Sequence, residues 1–240
     1  TMTAIVDSCI GGKTGINYKG IINSLGNYYH PKIVYISEKI ISEIPDREFY
    51  AGFAEIIKCG LIGNKKIINY LLNDPVPKDK KIKRNLSKII LETLKTKIKF
   101  FKNDIREKNK RLSLNFGHTF AHAFEMTTEK FFKKDFLRHG EAVGLGMLCE
   151  IMMTDTKKNK SNKIYKLTEN LLKKYRLPIK LNIPKKLIKK FHLSIYKDIF
   201  LDKKKKNKFP RYVSLEKICA PKLKEITDFG SLNDTIFKIF

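Results

Sequence analysis

From Pro45 onward the apolar residues recur at the spacing of an α-helix, and this constrains the fold of the 240-residue chain more than any other feature. Phe49, Phe53, Ile56, Ile57 and Leu61 share one face behind Pro45 and Asp46, which supply a helix start. Leu86 to Phe101 is a longer amphipathic stretch and Thr119 to Met126 another. Glu141 to Met153 is a further one, and its Ala142, Gly144 and Gly146 suit close packing. Pro178 and Pro184 bracket an extended connection, and Lys185 to Ile199 is again helical. Ahead of Pro45 the pattern differs. The short β-branched run Thr3 to Val6 leads into Cys9-Ile10-Gly11-Gly12-Lys13-Thr14-Gly15, which reads as a strand entering a glycine-rich loop. Lys32 to Ser37 reads as a second strand, and Phe209 to Leu215 as part of a β-hairpin near 205–218. No internal repeat of useful length is present.

Hydrophobic residues make up 42% of the chain, enough to fill a core, so a wholly disordered chain is excluded. The longest apolar run, Gly144 to Met153, is broken by Glu150 and falls short of the roughly 18 residues of a membrane span. Cys9, Cys59, Cys149 and Cys219 lie far apart with no CxxC pair, which argues against a zinc ribbon or a disulfide framework and for a reducing cytoplasm. Thr1 to Val6 lacks the zones of a signal peptide and reads as the middle of a longer chain. The formal charge of +26 raises nucleic acid as a partner. Forty-three of the fifty basic residues are lysines spread along the chain, however, and no Arg-rich or aromatic recognition module is present, so no specific nucleic-acid or membrane partner is expected. The densest run, 202–208, reads as a solvated loop with a lysine or two available to an anionic ligand.

Gly11-Gly12-Lys13-Thr14 has the tail of a phosphate-binding P-loop, but the first glycine of that spacing is missing because position 7 is Asp7. What remains is physical. Glycines let backbone N–H groups approach an anion, Lys13 adds charge beside them, and Asp7 is placed to accept from ligand hydroxyls. A tight turn with a surface lysine is the alternative for this segment alone. His118 and His122, four apart, project from one face of the expected helix as metal ligands, as an acid/base pair, or as two buried structural histidines. Position 119 is Thr, so the HExxH motif is absent. His139 and Glu55, the latter among apolar residues, widen the choice, because two histidines and a carboxylate are a recurrent catalytic zinc set. Spacing alone selects His118 with His122. Lys58, three residues beyond Glu55, lies on the same helical face.

Four segments together resemble 3-dehydroquinate synthases, of the sugar phosphate cyclase superfamily. They are Val6 to Gly15; Pro45-Asp46-Arg47-Glu48-Phe49 with Ala51 to Lys58; Leu114 to Ala123; and His139-Gly140-Glu141-Ala142-Val143. The resemblance implies a partial chain of a two-domain α/β plus α enzyme. Residues 1–44 would be a remnant of the dinucleotide-binding domain and its Gly-rich loop, and 45–240 the mainly α, metal- and substrate-binding domain. It implies a zinc- and NAD-dependent cyclisation of 3-deoxy-D-arabino-heptulosonate 7-phosphate to 3-dehydroquinate with release of phosphate, in the shikimate route to chorismate and aromatic amino acids. By motif position the metal ligands would be Glu55, His118 and His139, with cobalt able to replace zinc. His122 then moves to the substrate phosphate and joins Asp7, Lys13 and Lys58 in the catalytic group. Asn23, Lys97, Arg111, Asn115 and one of Lys203 and Lys204 would contact the sugar acid phosphate, and Thr1 and Lys13 the cofactor. The resemblance further implies a cytoplasmic homodimer at full length.

Three positions depart from the family pattern: Ile22 where a lysine is usual, Ala121 for a glycine and Cys9 for a serine. The first removes a cation and predicts weaker phosphate or cofactor binding. Without the amino-terminal domain this chain alone is expected not to turn over. Another sugar-phosphate cyclase and a catalytically inactive helical remnant are the alternatives.

Overall fold

Helices dominate, as the periodicity predicts. The computed structural model describes residues 1–18, 21–74, 84–132, 136–154, 160–201 and 209–240. They fall into two compact units, Thr1–Leu114 and Asn115–Phe240. Among the described residues no helix is long and apolar enough to cross a membrane.

The first unit opens with a correction. Thr3 to Val6 is helical, not a strand, and continues into a wide turn over Ala4–Ser8 in which the Cys9 N–H reaches the Ala4 carbonyl at 3.0 Å. The physical reason is burial: Met2 and Val6, one helical turn apart, are both fully buried, and β-branched residues follow such packing over their local preference. The loop that follows joins a short antiparallel ladder, β1 (Ile16–Tyr18) with β2 (Ile21–Leu25). Lys32 to Ser37 forms no strand either. It pairs with no other described strand, and Ile33 and Tyr35 are 84% and 86% exposed. After α1 (Glu38–Glu43), Pro45 introduces α2 (Asp46–Ala51), whose Asp46 and Glu48 sit where the helix dipole favours anions. Next comes α3 (Phe53–Gly63), buried on every face from Phe53 to Ile62. A helix so enclosed needs partners all round. They include α4 (Lys65–Asn73), capped by the Asn64 side chain at the Lys66 N–H, and α5 (Arg84–Phe101), which buries Leu86, Ile89, Ile90, Lys97 and Phe100.

The second unit is built around α7 (His139–Thr154), which packs against α6 (His118–Phe131), α8 (Lys160–Lys174), the strand β3 (Arg211–Leu215) and α10 (Phe229–Lys238). Helix α9 (Ile188–Leu201) covers α6. Buried Asp198 on α9 accepts from Thr127 Oγ1 at 2.9 Å and pairs with Lys130 at 2.5 Å, pinning the two helices together. The helices α6 and α7 meet at glycines: a Cβ on Gly146 would lie 1.9 Å from the Gly117 carbonyl oxygen. The expected hairpin exists, but β3 pairs forward with β4 (Pro221–Glu225), so it runs from 211 to 225, not within 205–218. Its turn contains Cys219 at φ +66°, a left-handed position without a glycine to advertise it.

Candidate functional site

In the first unit the chemistry gathers around the glycine-rich loop and α3. Gly11 and Gly12 have φ of +101° and +70°, so the loop needs glycine at both places. A Cβ on Gly11 would come within 3.1 Å of Arg111 Nη2, and that nitrogen donates to the Gly11 carbonyl at 2.7 Å. Arg111 is buried, donates a second bond to the Ile105 carbonyl at 2.8 Å, and lies over the rings of Tyr28 and Phe101. Its own backbone N–H is held by Asp104, whose carboxylate also accepts from the N–H groups of Lys108 and Asn109. These backbone bonds, that from Lys108 foremost, hold the Asp104 carboxyl below the usual carboxylate range. Lys97, also buried, pairs with Asp7 Oδ1 at 2.8 Å and donates to the Asp7 carbonyl, while Lys13 pairs with Glu107. On α3, Glu55 and Lys58 form an almost wholly buried ion pair. Burial alone would push the Lys58 ammonium down; the negative charge of Glu55, with Asp7 behind it, outweighs this and holds it above the usual lysine range. Burial pushes the neighbouring Cys59 thiol up to about 12, so it stays neutral.

In the second unit three histidines meet. The ring of His118 lies 5.6 Å from that of His122 and 5.4 Å from that of His139, centroid to centroid, so α6 and α7 bring distant segments together. The start of α7 is fixed by Glu141, which reaches back to accept the Arg138 N–H at 2.9 Å, as a carboxylate at the third helical position does in a capping box. His139 Nδ1 donates to Glu125 Oε1 at 2.9 Å, and His118 Nδ1 to the Phe116 carbonyl at 3.2 Å. Both bonds select the tautomer whose lone pair is on Nε2. Metal-ligating histidines are oriented in this way, by an acceptor on the opposite ring nitrogen. The donor set therefore suits a borderline divalent ion such as zinc or cobalt.

Thr1 is exposed, its Oγ1 accepting from the Ala4 N–H, and Asn115 is half-buried at the end of the tight turn Lys110–Asn115. Asn23 and Ile22 lie on β2, but their side chains are outside the described residues, as is all of 202–208 with Lys203 and Lys204. Glu125, Asp104 and Glu107 do not stand out in the sequence as site residues, and Glu150 stands out only as the break in an apolar run. Glu125 had a signal, since positions 118, 122 and 125 share one helical face. Asp104 and Glu107 act through backbone groups or distant loops and carry no such signal.

The family model described as 3-dehydroquinate synthase N-terminal matches residues 1–51, and that described as 3-dehydroquinate synthase C-terminal matches residues 52–205. A 3-dehydroquinate synthase of Clostridium tetani is 35% identical over 224 residues, 93% of this chain and 57% of that protein. One of Campylobacter fetus is 34% identical over 242 residues, 98% of this chain and 64% of that protein. The chain thus spans about three-fifths of the length of these relatives. Among solved structures, the 2-epi-5-epi-valiolone synthase ValA of Streptomyces hygroscopicus, with NAD+ and Zn2+ bound, superposes with a TM-score of 0.79 at 16% identity, over all of this chain and 64% of that one. A 2-deoxy-scyllo-inosose synthase complexed with carbaglucose-6-phosphate, NAD+ and Co2+ gives 0.75 at 22% identity, over all of this chain and 65% of that one. The fold is therefore that of the sugar phosphate cyclases. With both family models matching in order along its length, the chain belongs to the 3-dehydroquinate synthase family.

Proposed function

We propose that this chain carries the metal- and substrate-binding part of a zinc- and NAD-dependent 3-dehydroquinate synthase, which converts 3-deoxy-D-arabino-heptulosonate 7-phosphate to 3-dehydroquinate and phosphate. The observation that carries the reading is the donor set. His118 and His139 hold their rings 5.4 Å apart with both Nδ1 atoms turned to an acceptor, and motif position supplies Glu55 as the third ligand. Metal and cofactor in the superposed cyclases support the same chemistry. When bound, a divalent ion polarises substrate hydroxyls and NAD exchanges hydride. The chain's own residues bind and orient. Lys13, Lys58, Lys97 and Arg111 supply the cations that a carboxylate and a phosphate require, with Asp7 and Asn115 as hydrogen-bonding partners for hydroxyls and His122 placed toward the phosphate. Residues 1–44 are read as part of the dinucleotide-binding domain, and the complete protein as a cytoplasmic homodimer.

Zinc content and turnover test this. The purified chain is expected to take up one zinc, and Glu55→Gln, His118→Ala and His139→Ala are each expected to abolish uptake; stoichiometric zinc after any one of them removes that ligand. Joined to the amino-terminal part of the Campylobacter fetus relative that this chain does not match, it is expected to release phosphate from the heptulosonate phosphate in the presence of NAD. Release only from a different sugar phosphate would make it another cyclase. Zinc uptake without any release would make it an inactive remnant.

A further inference from the structure

Helix α6 starts without a side-chain cap of its own. Its N-cap residue is Gly117, at φ +83°, chosen because a Cβ there would meet the Val143 carbonyl and Met147 at 2.8 Å. The first turn, which carries His118, therefore presents backbone N–H groups that need an acceptor from elsewhere. Glu150, fully buried on α7, provides it: Oε1 accepts from the Thr119 N–H at 3.3 Å. Its other oxygen, Oε2, accepts from the Val213 N–H of β3 at 2.9 Å. In an antiparallel strand the N–H of Val213 and Leu215 and the carbonyl of Arg211 share one edge. That edge faces the helices. The Leu215 N–H is met by Thr154 Oγ1 at 3.3 Å, and the Arg211 carbonyl accepts from Thr119 Oγ1 at 2.8 Å.

A buried carboxylate is costly, and a neutral cap would satisfy a helix start alone. What a carboxylate adds is a second strong acceptor and a negative charge at the positive end of the α6 dipole. We propose that Glu150 is a positioning residue. It ties the first turn of α6 to β3 and thereby holds His118 in the geometry the metal site needs, so that metal affinity depends on a carboxylate outside the ligand set. This rests on the metal reading above.

The test is zinc affinity of the full chain by competition with a chromophoric chelator, with thermal melts by circular dichroism on the same samples. Glu150→Gln keeps the shape but turns an amide N–H₂ toward one of the two N–H groups. It is expected to weaken zinc about 10- to 100-fold, the range seen when groups behind metal ligands are lost. Asp198→Asn loosens the far end of α6 and is expected to lower the melting temperature while leaving zinc affinity within about threefold. A folded Glu150→Gln chain with wild-type affinity overturns the inference, and so does an Asp198→Asn chain that loses as much affinity. Should Glu150→Gln fail to fold, Thr119→Val cuts only the hydroxyl tie to Arg211 and is expected to weaken zinc several-fold; wild-type affinity in that variant overturns the inference. Failure of the wild-type chain to bind zinc removes the metal reading, and this inference with it.

Discussion

Asp104 illustrates how one side chain sets the position of another. Its carboxylate gathers the N–H groups of Lys108, Asn109 and Arg111 and so shapes the turn from which the Arg111 guanidinium reaches the Gly11 carbonyl. Because those bonds favour the charged form, the folded carboxyl lies below its ordinary value of 3.8. A carboxyl held down in the folded state stabilises it fully above the unfolded value, and that contribution is lost as pH falls through the lower, folded one. The amide resonances of Lys108, Asn109 and Arg111 should therefore titrate together with a midpoint below 3.8, and Asp104→Ala should abolish the transition. A midpoint at or above 3.8 would show that the carboxylate does not hold the turn. Residue types were legible here and partners were not. The sequence displays Arg111 and Gly11 as candidates for binding an anion, but the bond between them spans one hundred positions and leaves no periodic trace.

At the scale of elements, the α6–α7 crossing depends on two glycines. The sequence had marked Gly146 for close packing, and the geometry gives the reason: its Cα faces the Gly117 carbonyl, a backbone group unable to rotate aside. Gly146→Ala should force the helices apart. It is expected to cost about 1–3 kcal/mol, the usual range for overpacking, in urea unfolding, and to weaken zinc binding because His118 and His139 ride on the two helices. Full stability and full zinc affinity in the variant would show that the crossing can relax harmlessly. The helices themselves were readable because an amphipathic helix carries its burial pattern within its own sequence. Strands are different, since a strand becomes one only when a neighbour completes its ladder. Thr3 to Val6 and Lys32 to Ser37 have the β-branched and aromatic composition of strands; the first was recruited into helical packing through Met2 and Val6, and the second finds no pairing among the described residues. The β3–β4 hairpin was found but shifted, because the left-handed position in its turn is taken by Cys219, where no glycine announces it.

For the whole molecule the dominant electrostatic fact is the formal charge of +26. Exposed ion pairs such as Lys173–Glu169 and Lys224–Glu216 offset little of it because solvent screens them, and the buried pair Lys58–Glu55 is internally neutral. Mutual repulsion among the remaining lysines therefore opposes the compact state. Salt acts on the two kinds of interaction unequally. Raising ionic strength from about 0.01 to 0.1 M shortens the screening length from about 30 to 10 Å, which suppresses lysine–lysine repulsion across the surface and scarcely reaches a pair buried on α3. The melting temperature of the zinc-free chain should consequently rise with sodium chloride over this range and then level off. Retention on immobilised DNA, if any, should fall over the same range without regard to zinc, as a diffuse cationic surface dictates. A melting temperature that falls with salt would mean that attractive surface pairs outweigh the excess of lysine, and the charge would then have to be read as an organised surface and not as a compositional bias.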